Sequence, residues 1–220
     1  MKVLVVGASG RVGRAVVAEA LAAGHAVIAV ARTPAKLSLP PNAALTVVQG
    51  DAYDAVSFDA AVATARPDAV ISTLGHVKGS PPDLLRVALR NATDACAKHG
   101  VRRLVILGGI LWARPGDALP LLWVGIRVIA GFALGAALAD SVVALDELAA
   151  LPAGGVEWTV VRPPMISDGP ATAATADDLY VGPASGANWS ISVGDVARFL
   201  VGELPVGGRH VRQFPVISKK

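Results

Sequence analysis

The chain opens with Met1-Lys-Val-Leu-Val-Val-Gly7-Ala-Ser-Gly10-Arg-Val-Gly13-Arg14. The valine-rich run predicts a strand, the glycines at three-residue spacing predict a tight turn, and the helical periodicity of residues 12–23 predicts a helix. A strand, glycine turn and helix in this order bring bare backbone N–H groups and the positive end of a helix dipole to one point. That point suits a pyrophosphate, so the motif predicts a dinucleotide-binding unit. A glycine turn that binds nothing is the alternative.

This turn contributes the first group of predicted cofactor-binding residues. Three are the glycines that let the backbone approach a pyrophosphate, and the others lie between or beside them. The predicted set is Gly7, Ser9, Gly10, Arg11, Val12 and Gly13.

Composition limits the class of protein. The 220 residues suffice for one domain with a sizeable core, and 53% of them are hydrophobic, with a mean hydropathy of +0.54. The net charge of +3, without long basic runs, argues against a nucleic-acid surface. The single cysteine, Cys96, rules out an internal disulfide, and its helical context indicates a core residue. With a strand predicted from the second residue and no signal peptide before it, we expect a cytoplasmic protein.

Strand-like and helix-like segments alternate along the chain, which predicts an α/β fold: a Rossmann-type, doubly wound parallel sheet with a small C-terminal substrate-side region. We expect a single domain over 1–220, with a dinucleotide-binding core at 1–162 and a smaller substrate-side segment at 163–220. Predicted strands are Val3–Val6, Ala26–Ala31, Leu45–Gln49, Ala69–Thr73, Arg103–Leu107 and Trp158–Arg162. Predicted helices are Arg11–Ala23, Phe58–Ala65, Pro82–His99, Asp140–Leu151 and Val193–Gly202, the last capped by Ser192 with Asp195 in its first turn.

The segment Leu119–Leu138 is apolar and long enough for a membrane span, and its Gly131-x-x-x-Gly135 spacing suits close helix contact. Pro120 and the central Arg127 disfavour membrane association. We therefore expect a long, largely buried crossover that covers the substrate side or forms an oligomer interface, which leaves room for a homodimer.

The end of the second strand predicts which nicotinamide cofactor is preferred. In dinucleotide folds an acidic residue there binds the adenosine ribose of NAD, whereas a cation accommodates the 2′-phosphate of NADP. Arg32 occupies this place, and no Asp or Glu follows before Asp51. A guanidinium pairs with phosphate through two donors, so we expect NADP(H) to be preferred over NAD(H). Arg11 is a candidate second cation, and a merely solvated Arg32 is the alternative.

Further site residues follow the third and fourth strands. Asp51 is predicted to accept a hydrogen bond from the adenine amino group, although a helix N-cap would look the same in sequence. The small-residue stretch that ends the fourth strand lets a cofactor pass close to the backbone. His76 is a candidate acid or base, with a surface-loop histidine as the alternative. Predicted cofactor-binding residues here are Asp51, Ala52, Leu74 and Gly75.

These features together resemble the atypical short-chain dehydrogenase/reductase proteins of the NAD(P)-binding, NmrA-like and flavin-reductase-like type. The resemblance covers nearly the whole chain and rests on Gly7–Arg14, Val30–Arg32, Gly50-Asp51, Glu157–Pro164 and Ile191–Ala197. It implies that the Arg162-Pro163-Pro164 stretch lies beside the nicotinamide, which adds Pro163 and Met165 to the predicted cofactor contacts. Gly108, which follows a strand that often ends in serine in relatives, is also predicted to contact the cofactor.

One departure from that family concerns the reaction itself. Many relatives use a Tyr-x-x-x-Lys pair in which the lysine makes the phenol a proton donor to a carbonyl. Here Ser57 and Ala184 stand four residues after Tyr53 and Tyr180, the two tyrosines of the chain. Carbonyl reduction by that apparatus is therefore in doubt, whereas cofactor binding is unaffected.

Three functions fit this pattern. The first is an NADPH-dependent reductase that passes hydride to a small conjugated acceptor such as a flavin or quinone, which needs no strong enzymic acid. Trp112 would stack on a flat acceptor, with a core tryptophan as the alternative, and His76 and Trp112 form the predicted substrate pocket. The second is a non-catalytic NADP(H)-binding redox sensor. The third is an epimerase or dehydratase of nucleotide-sugars, which the missing pair disfavours. No His, Cys or carboxylate cluster has metal-ligand spacing.

Overall fold

A computed structural model describes residues 1–37, 39, 41–112, 117 and 119–220, and within these ranges a parallel sheet of six strands forms the centre of the molecule. The strands lie side by side in the order β3-β2-β1-β4-β5-β6, which is the Rossmann order and confirms the predicted fold class. They are β1 Lys2–Val6, β2 Ala26–Ala31, β3 Leu45–Gln49, β4 Ala69–Ser72, β5 Arg103–Leu107 and β6 Glu157–Val161.

Helices cover both faces of this sheet. On one face α1 packs against α5, and on the other α3 packs between α2 and α4. Because both faces are covered, the inner strands are apolar on both sides, as in β1, where Leu4 and Val5 face opposite cores and are both fully buried. The helices are α1 Arg11–Ala22, α2 Ala55–Ala65, α3 Leu84–Lys98, α4 Leu121–Ala149 and α5 Val193–Gly202.

Local capping determines where several helices begin and end. Gly24 and Gly100 follow α1 and α3 with positive φ, as expected for the residue after a helix. The Asp54 carboxylate accepts hydrogen bonds from Val56 N and Ser57 N and caps α2. The alternative of Asp51 as the N-cap is therefore wrong. The predicted Ser192 cap of α5 is confirmed, since its hydroxyl accepts from Asp195 N at 3.0 Å.

Helix α4 differs most from the prediction. Instead of a crossover followed by a separate helix, it is continuous in hydrogen bonding but bent by 115° at Leu134, where the backbone leaves helical geometry (φ −123°, ψ 17°). The expectation of a largely buried segment is wrong, because Leu121 is 90% and Phe132 is 91% exposed. Within the described part of this chain, no other element packs against Gly131 or Gly135, since a Cβ built at either glycine meets nothing within 4 Å outside its own helix backbone.

The apolar helices of the described residues were also candidates for a membrane span by composition. No single helix there is both long and apolar enough to cross a membrane. The two halves of α4 reach that standard of length and composition only when they are taken together.

The C-terminal segment adds short strands that sequence patterns did not predict. β7 (Met165–Ser167) pairs in parallel with β9 (Ser190–Ser192), while β8 (Tyr180–Gly182) pairs antiparallel with β10 (Val216–Ser218). The segment shares a core with the sheet, because Leu200 and Ile217 belong to the same buried cluster as Val3 and Val5.

A buried arginine joins that segment to the sheet. Arg103 on β5 is fully buried and donates to the Glu203 carbonyl and carboxylate, to the Glu157 carbonyl and to Thr159 Oγ1, at 2.6–3.1 Å. Burial lowers the pKa of Arg103, and the nearby Glu203 and Glu157 partly oppose that effect. The side chain thus connects β5 and the neighbouring edge strand β6 with Glu203, the residue that follows α5.

Candidate functional site

The glycine turn between β1 and α1 leaves no room for side chains. Gly7 has φ +80°, and a Cβ there would lie 2.7 Å from Thr73 Oγ1 on the neighbouring strand end. Gly10 is the N-cap of α1, with no side chain capping the helix and no acidic residue in its first turn. The helix N-terminus therefore presents backbone donors and a positive dipole end, as a pyrophosphate requires.

The remaining residues of this motif have different positions. A Cβ on Gly13 would overlap the Gly7 carbonyl, so Gly13 permits close packing of helix against turn. Val12 is largely buried in the core cluster of that face. Arg11 forms an ion pair with Asp168 at 3.0 Å, both side chains being exposed, and Arg14 donates to the Ser9 carbonyl at 2.7 Å. The side chains of Arg11 and Arg14 thus hold the turn rather than enter the groove beside it.

A groove of about 470 Å³ runs from this turn across the ends of β2, β3 and β4. It contains seven predicted cofactor-binding residues: Gly7, Ser9, Arg32, Asp51, Ala52, Leu74 and Gly75. It also contains Tyr53 and Lys78, which sequence reasoning missed because they lie in loops without a motif. The groove lies where β1 and β4 adjoin, at the reversal of strand order, where open α/β sheets bind ligands.

Two cations line this groove without a protein partner. The exposed guanidinium of Arg32 and the exposed ammonium of Lys78 each make no hydrogen bond or ion pair to any residue in the described ranges. By contrast, Arg103, Arg162 and Arg198 are all held by protein acceptors. The groove therefore offers positive charge to a ligand.

Asp51 follows β3, and its carboxylate already accepts one hydrogen bond from the protein. Its Oδ1 accepts from Tyr53 N at 3.0 Å, while its own N–H donates to Ser57 Oγ at 3.1 Å. The Tyr53 hydroxyl donates to Asp83 at 2.9 Å, and this hydrogen bond, with a smaller effect of burial, raises the pKa of Tyr53. Tyr53 is therefore a hydrogen-bonded wall of the groove and not an activated phenol.

A second cavity, of about 560 Å³, adjoins the groove at Gly75, which lines both. Its walls come from the loops after β4 and β5, the bend of α4 and the stretch after β6. They are almost entirely apolar, and the predicted residues His76, Trp112, Pro163 and Met165 all belong to them. The described lining also includes Leu85, Ile110, Trp123, Ile126, Leu134, Leu138, Ser141 and Trp189.

Tryptophan rings shape this cavity. Trp123 on α4 stacks on Trp189, with ring centroids 4.8 Å apart and an interplanar angle of 22°. Trp112 is half-buried against the core and also lines the cavity. Gly108 lies in neither cavity: a Cβ there would be 2.9 Å from the Trp112 ring, and its position serves to seat that ring.

The Arg-Pro-Pro stretch supports the same wall. Arg162 is buried, donates to the carbonyls of Phe214 and Trp112, and forms an ion pair with Asp117. It therefore fixes the loop that follows β5 beside Pro163, the next residue along the chain.

The alternative that His76 is a surface-loop histidine is wrong. Its ring is mostly buried, and Nε2 lies 2.9 Å from Oδ2 of the buried Asp140 on α4. Cys96, by contrast, is the core residue that the sequence predicted: it is fully buried, and burial raises the pKa of its thiol to about 12.

Taken together, the groove fits a dinucleotide on three grounds: a glycine turn in which Gly7 packs against Thr73 with no space for a Cβ, a helix N-terminus without a side-chain cap, and two cations that have no partner among the described residues. The glycine turn would hold the pyrophosphate, and Arg32 lies at the strand end that meets the adenosine ribose. When bound, a nicotinamide dinucleotide supplies a hydride acceptor or donor.

Comparison with known proteins agrees with this geometry. An uncharacterised chloroplastic protein of Arabidopsis thaliana is 29% identical over 193 residues, which cover 82% of this chain and 66% of that protein. An isoflavone reductase homologue of Zea mays is 38% identical over 99 residues, covering 41% of this chain and 31% of its own length. The chain thus spans less than two thirds of either relative.

Solved structures show the same fold. The oxidoreductase ylbE of Lactococcus lactis superposes with a TM-score of 0.77 at 19% identity, covering all of this chain and 91% of its own. ChuY, an anaerobillin reductase of Escherichia coli, superposes with a TM-score of 0.74 at 22% identity, covering 100% and 97%.

The family model described as NAD(P)H-binding matches residues 7–205, nearly the whole chain. The predicted resemblance to NAD(P)-binding proteins is thereby confirmed, and the chain belongs to the NAD(P)H-binding family and has a Rossmann fold.

Proposed function

We propose that the protein is an NADP(H)-dependent reductase that transfers hydride to a flat, conjugated small molecule such as a flavin or quinone. The observation that carries this proposal is the apolar cavity joined to the cofactor groove at Gly75. Because Pro163 and Met165 line that cavity, a nicotinamide placed beside them, as the family resemblance implies, would face it. The reductase names of the maize relative and of the Escherichia coli neighbour support this class of reaction.

The cavity walls favour a flat acceptor. They offer apolar surface and the rings of Trp112, Trp123 and Trp189, against which a planar ring system can stack. A dry cavity of about 560 Å³ is also within the range that takes a small organic ligand. The protein thus contributes position and exclusion of water.

Neither tyrosine can replace the missing Tyr-x-x-x-Lys pair. The Tyr53 hydroxyl is bound to Asp83, and the Tyr180 hydroxyl donates to the Pro183 carbonyl at 2.8 Å, outside both cavities. A conjugated acceptor suits this arrangement, because it delocalises the charge that hydride transfer creates.

NADP(H) is the cofactor that we propose over NAD(H). Arg32 supports it, since its unpartnered guanidinium lies in the groove with no carboxylate in its place at the end of β2. We also propose a cytoplasmic location for the protein, which cell fractionation would test.

The first experiment is titration of the purified protein with NADPH and with NADH, followed by nicotinamide fluorescence. Free flavins and simple quinones are then added while the absorbance of the reduced nicotinamide is recorded. Tight NADPH binding with turnover supports the reductase. Tight binding without turnover on any acceptor favours a redox sensor instead.

The sensor is a second candidate because one observation favours it. The first half of α4 exposes Leu121, Val128, Ile129 and Phe132, an apolar surface that could meet a partner protein. A nucleotide-sugar epimerase or dehydratase ranks last, since the cavity offers almost no polar groups for a sugar.

A further inference from the structure

We infer that His76, oriented by Asp140, donates the proton that completes reduction of the acceptor in the apolar cavity. The inference rests on the proposed function, since it names the residue that supplies the second half of that reaction. It starts from the composition of the cavity wall. Among the described residues that line it, His76 is the one titratable side chain.

The other polar side chain of the wall is already engaged. Ser141 is buried, and its hydroxyl donates to the Ala137 carbonyl of its own helix at 2.7 Å. The remaining lining residues are aliphatic, aromatic, glycine or proline, and the tryptophan N–H groups do not give up protons. A proton for an acceptor in this cavity therefore has one protein source in the described part of the chain.

Asp140 holds the ring in one orientation. Its carboxylate accepts from Leu85 N at 2.7 Å and Arg86 N at 3.2 Å at the start of α3, as well as meeting His76 Nε2 at 2.9 Å. A carboxylate fixed by two backbone donors cannot turn away from the imidazole. With Nε2–H donated to Asp140, the neutral ring leaves Nδ1 without a hydrogen bond to any described residue.

Pairing with a carboxylate does not by itself distinguish His76, because other histidines of this chain share it. His99 contacts Asp59 at 2.8 Å, and His210 contacts Glu203 at 2.7 Å. Neither of them lines the apolar cavity. His76 is distinguished by the combination of a fixed ring and a place on the wall that adjoins the cofactor groove.

Proton transfer from His76 would follow hydride transfer to the acceptor. An acceptor that has gained a hydride, and with it two electrons, carries negative charge on a ring nitrogen or oxygen. The Nδ1–H bond of the His76 imidazolium breaks and an N–H or O–H bond forms on the acceptor. A neutral imidazole remains, which takes its next proton from water. Asp140 stabilises the charged ring before transfer.

Besides Asp140, the charged group near His76 is Arg86. Its guanidinium lies 3.4 Å from a carboxylate oxygen of Asp83 and 3.8 Å from one of Glu147. These carboxylates offset the charge of Arg86. Among the described charged side chains of α3 and α4, Asp140 is therefore the one that contacts His76 directly.

The test compares His76→Gln and Asp140→Asn with the matched controls His99→Gln and Asp59→Asn, which alter a similar pair outside the cavity. The readouts are NADPH affinity, kcat against pH with a flavin or quinone, and ¹⁵N NMR of the imidazoles in the ligand-free protein. We expect His76→Gln to lose about 10²- to 10⁴-fold in kcat with unchanged NADPH affinity. His76→Gln should also lack the pH dependence of kcat that the wild type shows.

Asp140→Asn keeps one side-chain oxygen, which can accept from Leu85 N, whereas Arg86 N would then face the amide nitrogen; a thermal melt therefore checks that the variant folds. The neutral ring of His76 should carry its proton on Nε2 in the wild type, and Asp140→Asn should shift that preference. An active wild type with an equally active His76→Gln of unchanged pH profile overturns the inference alone. A wild type that binds NADPH but reduces no acceptor overturns the proposed function as well, and all variants then behave alike.

Discussion

At the scale of single residues, the site is distinguished by which charged side chains lack a partner. Most arginines here serve the fold: Arg103 and Arg162 are buried among carbonyls and carboxylates, and Arg198 pairs with Glu19. Arg32 and Lys78 have no such partner among the described residues and share the cofactor groove. Replacing Arg32 or Lys78 should therefore change the affinity for a ligand without changing the stability of the fold.

Replacing Arg32 by alanine should weaken NADPH binding while NADH binding stays nearly unchanged. The contact with a 2′-phosphate is charge-assisted and is worth about 1.5–3 kcal/mol, so the dissociation constant for NADPH should rise about 10- to 100-fold. Fluorescence titration of both cofactors measures it. Arg90→Ala removes the same charge at an exposed pair with Glu147 and serves as the control.

Equal losses for NADPH and NADH would remove Arg32 from the 2′-phosphate role. Lys78→Ala in the same titration then shows whether the second cation of the groove carries that preference.

His76 shows why single residues can be misjudged from sequence. Its partner Asp140 lies 64 residues further along the chain, and only the return of α4 over the loop after β4 brings them together. No local pattern reports that contact. By contrast, Arg32 and Gly75 follow strands whose ends meet at one edge, so the sequence places them correctly beside the same groove.

At the scale of elements, two glycines of one turn should respond differently to substitution. Gly10 has φ −71° and ψ 166°, which any residue adopts, whereas a Cβ on Gly13 would overlap the Gly7 carbonyl. Gly10→Val should therefore abolish binding of both cofactors with little change in melting temperature, because its methyl groups occupy the pyrophosphate cradle. Gly13→Ala should lower the melting temperature. Unchanged affinity in Gly10→Val would disprove the cradle.

Helix α5 depends on a buried carboxylate at its start. Asp195 accepts from the Ser192 hydroxyl, from Ala173 N, and from both donors of Thr172, at 2.7–2.9 Å. Burial alone would raise the pKa of Asp195, but these hydrogen bonds outweigh it and hold the pKa below its usual range. In its charged form, Asp195 thus connects the start of α5 to the loop that follows β7.

Asp195→Asn should cost about 1–3 kcal/mol of unfolding free energy near neutral pH. Because the folded pKa is lowered, this stabilisation is present above the unfolded value of about 3.9 and disappears as pH falls through the folded pKa. Urea unfolding of wild type and variant at several pH values measures it, and the difference between them should shrink in acid. The exposed Asp94→Asn on α3 is the control. A constant difference would contradict the role of the charge.

Helices and strands could be predicted from the sequence where a single local feature, such as an apolar run or a terminal glycine, determines them. Buried parallel strands are short apolar runs, and α1 and α3 end at glycines, so β1 to β6 and these helices match the predicted segments closely. The first half of α4, Leu121–Phe132, has Arg127 as its one charged residue, so no periodicity could reveal its exposed face or the bend that follows it. The three-residue strands β7 to β10 are too short to show alternation, and contacts across the C-terminal segment create them.

At the scale of the whole molecule, Arg103 and Glu203 connect the sheet to the segment that completes the apolar cavity. Arg103→Met should destabilise the protein by about 3–5 kcal/mol, because Glu203 would stay buried without its cation. The double variant Arg103→Met with Glu203→Leu should recover much of that loss. Urea unfolding of the single and double variants gives the coupling energy, and additive effects would show that the pair acts independently.

Gly75 borders both the groove and the cavity, so whatever fills one of them alters the wall of the other. Thermodynamic linkage then applies: if bound NADPH raises the affinity for an acceptor by some factor, the bound acceptor raises the affinity for NADPH by the same factor. The two ligands would add in a preferred order, with the dinucleotide leading because it completes the floor on which the acceptor rests. Calorimetric titration of each ligand in the presence and absence of the other would measure this cooperativity directly.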